Sequence, residues 1–298
     1  MKHIFIINPT AGKIDSSSIL SQKIQSAVKS HEICHDIYIT KSAGEIEGYM
    51  KNAINNNQSE KLRFYICGGD GSISEAVSAA ALNPNVELGC IPVGSGNDFV
   101  KNFPDCDFFD ISKQITALSK EIDLIYTSGK YCINIASVGF DAKVAYNMNK
   151  FKRIPFIGGN AAYSFSVIYS LLSRINMDLK YSIDGGELVS GKYLLASFAN
   201  GFCYGGHYKA APYAKVDDGQ MDFCAVSKIS RAKILNLMKI FEAGEHPEKL
   251  PDLTTYKKCR SVKIYGKKPL KINIDGDIHI MESPEFKIYP KAIKFLLP

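Results

Sequence analysis

No apolar run in this 298-residue chain approaches the roughly 20 residues that span a bilayer, so a transmembrane helix is not expected. The eight cysteines, at 34, 67, 90, 106, 132, 203, 224 and 259, include no C-x-x-C pair. Their scatter through apolar stretches points to buried free thiols rather than a zinc site or a disulfide framework. Charge of one sign is not in strong excess: a net +6 could favour an anionic membrane surface or nucleic acid, but at this size it more often means only solubility, and no nucleic-acid partner is expected. There is no internal repeat and no low-complexity linker. There is also no P-loop, because Gly12-Lys13 lacks a glycine five positions before it and is followed by Ile14 where Ser or Thr is required. Nor is there a dinucleotide G-x-G-x-x-G, since Gly94-Ser95-Gly96-Asn97-Asp98 ends in Phe99, which removes the main support for a Rossmann dehydrogenase.

What is present is ordinary globular composition, 46% hydrophobic and 22% charged, in a length that suits one large domain or two smaller ones. The N-terminal apolar segment is too short for a signal peptide and reads as a first strand, so a cytoplasmic location is expected. Organisation centres on residues 62–81. Residues 62–67 are nearly continuously apolar, as in a parallel strand covered on both faces. Gly68-Gly69-Asp70-Gly71 follows at once, and Ile73, Ala76, Val77, Ala80 and Ala81 then repeat as a helix face. Ser72 and Glu75 have the spacing of a capping box there, as Ser42 and Glu45 do before the helical stripe of Ile46, Tyr49, Met50, Ala53 and Ile54. Glycines admit a close phosphate and a helix N-terminus attracts an anion. Asp70 would repel that anion unless a metal lay between, which favours Mg-nucleotide over bare phosphate.

Strands over 2–7, 36–40, 62–67 and 86–93 alternate with helical stripes, which argues a parallel sheet with helices on its faces. From about residue 130 the texture changes to strands at 131–138, 177–184, 192–199, 221–226, 261–265 and 270–274 between Gly-rich turns, the pattern of an antiparallel sheet or sandwich. The expected division is an α/β domain over 1–126 and a β-rich domain over 127–298, with 286–298 returning to the first. Lys150, Lys152 and Arg153 precede an apolar stretch at 154–172; it reads as a core helix with a charged end, or as a contact with anionic lipid.

Gly-Gly-Asp-Gly-Ser at 68–72 resembles the G-G-D-G-[T/S] signature of the diacylglycerol kinase catalytic-domain family, which includes bacterial lipid kinases and the sphingosine and ceramide kinases. Asn8-Pro9-Thr10-Ala11-Gly12 resembles that family's opening N-P-x-[SA]-G, and Gly94 to Phe99 its G-T-x-N-D-F. Gly205 through Asp222 resembles its G-G-G-M-x-x-A-P…D-D-G-x-[LM]-D run, and Asp275-Gly276-Asp277 its D-G-E. The resemblance implies an NAD kinase/diacylglycerol kinase-like fold: a parallel-sheet α/β domain, then a mainly antiparallel β-sandwich, with catalysis in the cleft between them. It implies a nucleotide contacted by Asn8, Pro9, Gly12, Thr40, Gly68, Gly69, Asp70, Gly71, Ser72, Glu75, Ser95, Gly96 and Asn97. It places Asp70, Asp98 and Asp123 around catalytic magnesium, and a structural magnesium on Asp218 with the carbonyls of Lys215 and Gln220. The general base falls to Asp277, one methylene shorter than the family's glutamate, or to Asp275 as substitute.

The function so implied is an ATP- and Mg²⁺-dependent kinase of diacylglycerol or a related lipid alcohol at the membrane face, with peripheral membrane contact and a homodimer both compatible. Two other readings stay open at this point. A kinase of a soluble acceptor such as NAD shares Gly-Gly-Asp-Gly, and a nucleotide-binding regulator without catalysis would follow from the shortened Asp277.

Overall fold

The computed structural model describes residues 1–12, 15–151, 166, 169–170 and 175–298. Lys13, Lys152, Arg153 and most of the apolar stretch at 154–172 lie outside the described residues. The chain divides into two compact units. One comprises Met1–Leu124, Val216–Gly219 and Tyr289–Pro298, the other Ile125–Lys215 and Gln220–Ile288.

The first unit is the expected α/β structure. Strands β1 (Lys2–Ile7), β2 (His35–Ile39), β3 (Leu62–Gly68) and β4 (Val86–Pro92) pair in parallel in the order β2-β1-β3-β4, and residues 294–295 of β15 (Glu285–Leu297) add to β4 in the same sense. The apolar runs are explained by burial on both faces: Phe5, Ile7, Tyr65, Cys67 and Ile91 pack with Leu20, Ile24 and Val28 of α1 (Ser17–His31) and with Ile111 and Ile115 of α4 (Ile111–Thr116). Ile46 and Met50 of α2 (Glu45–Asn56) and Ile73, Ala76, Val77 and Ala80 of α3 (Asp70–Ala80) are likewise buried. The chain steps from β1 outward to β2 and from β3 the other way to β4, so the β1/β3 junction is the topological switch point, where sheets of this kind bind ligands at the strands' carboxyl ends.

Both expected capping boxes are corrected. The first residue of α3 is Asp70, with Gly69 at the N-cap and no side-chain cap, because the strand turns into the helix three residues sooner than a Ser72 cap implied. Ser72 instead accepts from Asn8 Nδ2 at 3.0 Å, and Glu75 accepts from the Gly44 and Ile46 amides at the start of α2. At α2 the N-cap is Gly44, and Ser42 Oγ donates to the Glu45 side chain rather than to the helix backbone.

The second unit is mainly antiparallel. It holds the end of β5 (Leu118–Thr127), β6 (Lys130–Cys132), β7 (Ile135–Gly139), α5 (Phe140–Phe151), β8 (Met177–Ile183), β9 (Val189–Ala199), β10 (Met221–Ser227), α6 (Ile234–Ala243), α7 (His246–Lys249), β11 (Thr254–Cys259), β12 (Ser261–Gly266), β13 (Leu270–Ile274), β14 (Asp277–Met281) and the start of β15. Residues 195–199 of β9 lie between β7 and β10, whereas 189–193 pair with β8. Gly139 stands where β9 changes neighbours, at φ +113°, and a Cβ there would lie 2.5 Å from the Leu194 carbonyl oxygen. The strand expected over 131–138 is broken at Ile133-Asn134, for a reason that belongs to the site below. Phe198, Phe223, Phe286, Val262, Ile264 and Ile272 are fully buried in this unit's core, and Phe198 stacks on Phe286.

His246, also in this unit, is fully buried, stacks on Phe241 at 3.7 Å, and has neither ring nitrogen in a hydrogen bond of good geometry. Burial lowers its pKa to about 4. A group held neutral in this way contributes stability that is complete above its unfolded value near 6.5 and is lost as pH falls towards 4, on the order of 3 kcal/mol in all. Asp141 and Asp275, pushed up to about 6 by burial, act in the opposite sense over the same range. Replacement His246→Phe keeps the stack and removes the titration. The melting temperature of the variant relative to wild type is therefore expected to rise between pH 7.5 and pH 5; a pH-independent difference would show that His246 is not held neutral.

Candidate active site

The loops at the carboxyl ends of the parallel strands meet at the switch point. After β1, Asn8 uses its side-chain oxygen to accept from Thr10 N and Thr10 Oγ1, and its amide to reach Ser72 at the start of α3. Gly12, at φ +87°, lies so near the next loop that a Cβ would stand 2.6 Å from the Val93 carbonyl. After β3 and β4 two glycines touch: a Cβ on Gly94 would fall 2.4 Å from the Gly69 Cα. Only glycine permits this backbone contact, so the pairing of the two glycine loops is dictated by sterics. Thr40, just after β2, is buried, its amide and hydroxyl both directed at the Ile7 carbonyl at the end of β1. The first amides of α3, at Asp70, Gly71 and Ser72, have no i−4 carbonyl within the helix, and the space at Gly71 is open for 4 Å around a would-be Cβ.

Asp70 fastens the two loops. Its Oδ1 accepts from the Asp98 and Phe99 amides at 2.6 and 3.3 Å. Phe99 anchors the far loop by packing edge-on against Phe103 and Phe295. Asn97, at φ +51°, donates to the Pro92 and Gly94 carbonyls and so holds the turn that presents Ser95 and Gly96. The remaining carboxylate oxygens converge: the point where a Cβ on Gly96 would stand is 2.8 Å from Asp70 Oδ2 and 3.5 Å from Asp98 Oδ2. Burial raises the Asp70 pKa, the Asp98 charge adds to that rise, and the two backbone amides and Lys101 oppose it. A cradle of two oxygens left open by a glycine fits a small divalent cation, which keeps most of its shell as water and phosphate. Among the described residues no group of three His, Cys, Asp or Glu side chains gathers as a cation site.

Asp123 stands apart from that cradle in its bonding. It is fully buried, and it accepts from the Gly219 amide at 2.7 Å and the Lys291 amide at 2.8 Å, while its own amide donates to Val216. Its carboxylate thus clasps the three discontinuous segments that make up the first unit. Burial raises its pKa, the two amides oppose this, and Asp218 and Asp217 add to the rise. Asp218 lies in the 216–219 segment of this unit, whereas Lys215 and Gln220 belong to the other.

In the second unit, Asp275 and Asp277 flank Gly276 in the β13–β14 turn, with Asp275 at φ +47°. The two carboxylates differ completely in environment. Asp275 Oδ1 accepts from the Asn134 and Ile135 amides, each at 3.1 Å, and from Cys132 Sγ at 3.2 Å, and Oδ2 accepts from the Ile133 amide at 2.8 Å. These amides turn to a carboxylate instead of a neighbouring strand, which is why β6 and β7 are separate. Burial raises the Asp275 pKa to about 6, against the pull of those donors. Asp277 pairs through its backbone with Ile274, and its exposed side chain makes no hydrogen bond among the described residues. The sequence reading missed Lys101, whose ammonium meets Asp98 Oδ1 at 2.7 Å; its place three residues after Asp98 was the available signal.

Residues 2–127 match the family described as the diacylglycerol kinase catalytic domain, and residues 134–297 the family described as the YegS C-terminal NAD kinase beta sandwich-like domain. A diacylglycerol kinase of Staphylococcus carnosus is 28% identical over 91% of this chain and 87% of its own length. A crystal structure of a diacylglycerol kinase from Bacillus anthracis superposes with a TM-score of 0.75 at 18% identity, covering 100% of this chain and 97% of that one. An NAD kinase from Archaeoglobus fulgidus, solved in complex with ATP, aligns at a TM-score of 0.52 and 12% identity over 99% of this chain and 93% of that one, a likeness of fold.

The Asp275 clasp can be tested by itself. Replacement Asp275→Ala leaves three inward-facing amides without an acceptor, which is expected to cost roughly 3 kcal/mol or more of stability. Hydrogen exchange at the Ile133, Asn134 and Ile135 amides is expected to accelerate well beyond the rest of the unit; unchanged local protection would show that the clasp does not hold them.

Proposed function

Because the chain belongs to the diacylglycerol kinase catalytic-domain family with a YegS-type C-terminal β-sandwich, a family of lipid kinase phosphotransferases, we propose that it transfers the γ-phosphoryl group of Mg-ATP to the hydroxyl of diacylglycerol or a related lipid alcohol at the membrane surface. The observation that carries the nucleotide part of this reading is the convergence of Asp70 Oδ2 and Asp98 Oδ2 at the open side of Gly96, next to the α3 N-terminus. We place the nucleotide on the domain of residues 1–126 and the acceptor on that of 127–298.

In this reading the α3 amides, with Ser72, Ser95 and Gly96, receive the phosphates; Asn8, Pro9, Gly12 and Asn97 shape the loops that admit them; and Gly68 and Gly69 let those loops close on one another. Thr40 packs beneath the nucleotide, and Glu75 acts through α2, whose first amides it holds. Asp70 and Asp98 hold catalytic magnesium, which when bound supplies charge neutralisation on the transferring group. Asp123 supports them by fixing the segment that carries Asp218, and Asp218 with the Lys215 and Gln220 carbonyls is assigned the second, structural magnesium. The acceptor oxygen forms its bond to the γ-phosphorus as the bond to the ADP leaving oxygen breaks, and the hydroxyl proton passes to a carboxylate. We assign that base to Asp277. The oxygens of Asp275 are already occupied by four donors, whereas Asp277 is exposed and uncommitted, so Asp275 is the positioning residue of the pair.

The test is transfer from γ-labelled Mg-ATP to detergent-dispersed bacterial lipid, extracted into organic solvent beside a parallel reaction with NAD. Label is expected in the organic phase; phosphorylated NAD with an empty organic phase would replace the acceptor class, and no transfer to either would leave a nucleotide-binding regulator. Asp70→Asn is expected to abolish transfer. Asp277→Asn is expected to lower kcat by about 10²-fold or more, and Asp277→Glu to retain most of it, with ATP affinity unchanged in both. Full activity of Asp277→Asn would pass the base to Asp275.

A further inference from the structure

The cradle formed by Asp70 and Asp98 sets two carboxylates against one another in a largely buried place. Asp98 is only 7% exposed, and its charge already works against ionisation of Asp70. Two such groups are unfavourable without a compensating cation. One is present in the chain itself. Lys101 ends its side chain 2.7 Å from Asp98 Oδ1, and its charge extends to Asp70, whose ionised form it favours. The short 3-10 turn Phe99–Asn102 places Lys101 there, and that turn is pinned by Phe99 among the aromatic rings and by Asn102 Nδ2 on the Phe99 carbonyl. The Lys101 side chain is still about one-third exposed, so the ammonium has a path to move towards solvent or towards a ligand.

We propose that Lys101 is a resident counter-ion of the phosphoryl-transfer site, which holds the Asp70–Asp98 cradle in place while no nucleotide is bound and yields Asp98 to the divalent cation when metal-nucleotide enters. The inference rests on the reading that this cradle takes Mg-nucleotide, and it adds a residue and a competition to it. Lys101 and the divalent cation are alternative partners of one carboxylate. The ammonium, on leaving Asp98, remains on its flexible stem beside the entering phosphates, where a cation is favourable. Lys101 is thus a positioning residue, and what it sets is the concentration of metal at which nucleotide binds.

The measurement is binding of a fluorescent ATP analogue as a function of Mg²⁺ concentration, with Mn²⁺ binding followed by electron paramagnetic resonance in the absence of nucleotide. In Lys101→Met the competitor is gone. The Mg²⁺ midpoint is expected to fall about three- to tenfold, Mn²⁺ alone to bind more tightly, and the analogue without metal to bind more weakly. Lys101→Arg keeps a cation on Asp98 and is expected to leave the midpoint at or above that of wild type; it also supplies the comparison if the methionine variant does not fold, since a lowered midpoint in a folded arginine variant would contradict the competition. An unchanged or raised midpoint in a folded Lys101→Met protein, whatever its melting temperature, would overturn the proposal while leaving the kinase reading intact. Absence of metal-dependent nucleotide binding in wild type would overturn both.

Discussion

A buried carboxylate accepting backbone amides from a distant segment is the interaction on which this structure depends. Asp70 takes the amides of Asp98 and Phe99 and so joins the loops after β3 and β4. Asp123 takes those of Gly219 and Lys291 and draws three pieces of chain into one unit. Asp275 takes those of Ile133, Asn134 and Ile135 and breaks a strand to do so. An ionised acceptor makes such bonds about twice as strong as neutral ones, and burial penalises any state in which the amides are left bare. Each of the three is raised in pKa by burial, and in each the amide donors work against that rise.

This economy of acids bears on chemistry. A carboxylate whose oxygens are occupied by amides has none free for a ligand and is a good brace, whereas one with an open oxygen can meet a ligand. Asp275 is of the first kind, Asp70 is divided between the two, and Asp277 is uncommitted. Glycine supplies the complement. Where Gly69 meets Gly94 no side chain fits, and beside Gly96 the missing Cβ leaves the space on which two carboxylates converge. The loops meet backbone to backbone at Gly69 and Gly94 and stay open at Gly96.

Much of this was legible in the sequence. The parallel strands of the first unit are apolar along almost their whole length because both faces are covered, and the strand-turn-helix at 62–80 carries its own signals. The glycine loops and family aspartates were identifiable at their positions. Helix starts were less legible: Ser72 and Glu75 have capping-box spacing, yet both side chains serve neighbours distant in sequence, Asn8 and the α2 amides. The break between β6 and β7 was invisible for the same reason, since residues 131–138 are locally good strand and the interruption comes from Asp275, some 140 residues later.

The sequence by itself determined which residue types occur at each loop and hence the family, the α/β-then-β order and the expectation of metal-nucleotide chemistry, because glycine, acid and apolar periodicity are local properties. The tertiary structure decided what each acid does. Whether a carboxylate ends against amides, an ammonium or open space depends on contacts between segments far apart in the chain, and a pattern of spacing carries no information about which of those partners arrives. So it was the fold that divided the clasp at Asp275 from the uncommitted Asp277, and that set Lys101 on Asp98.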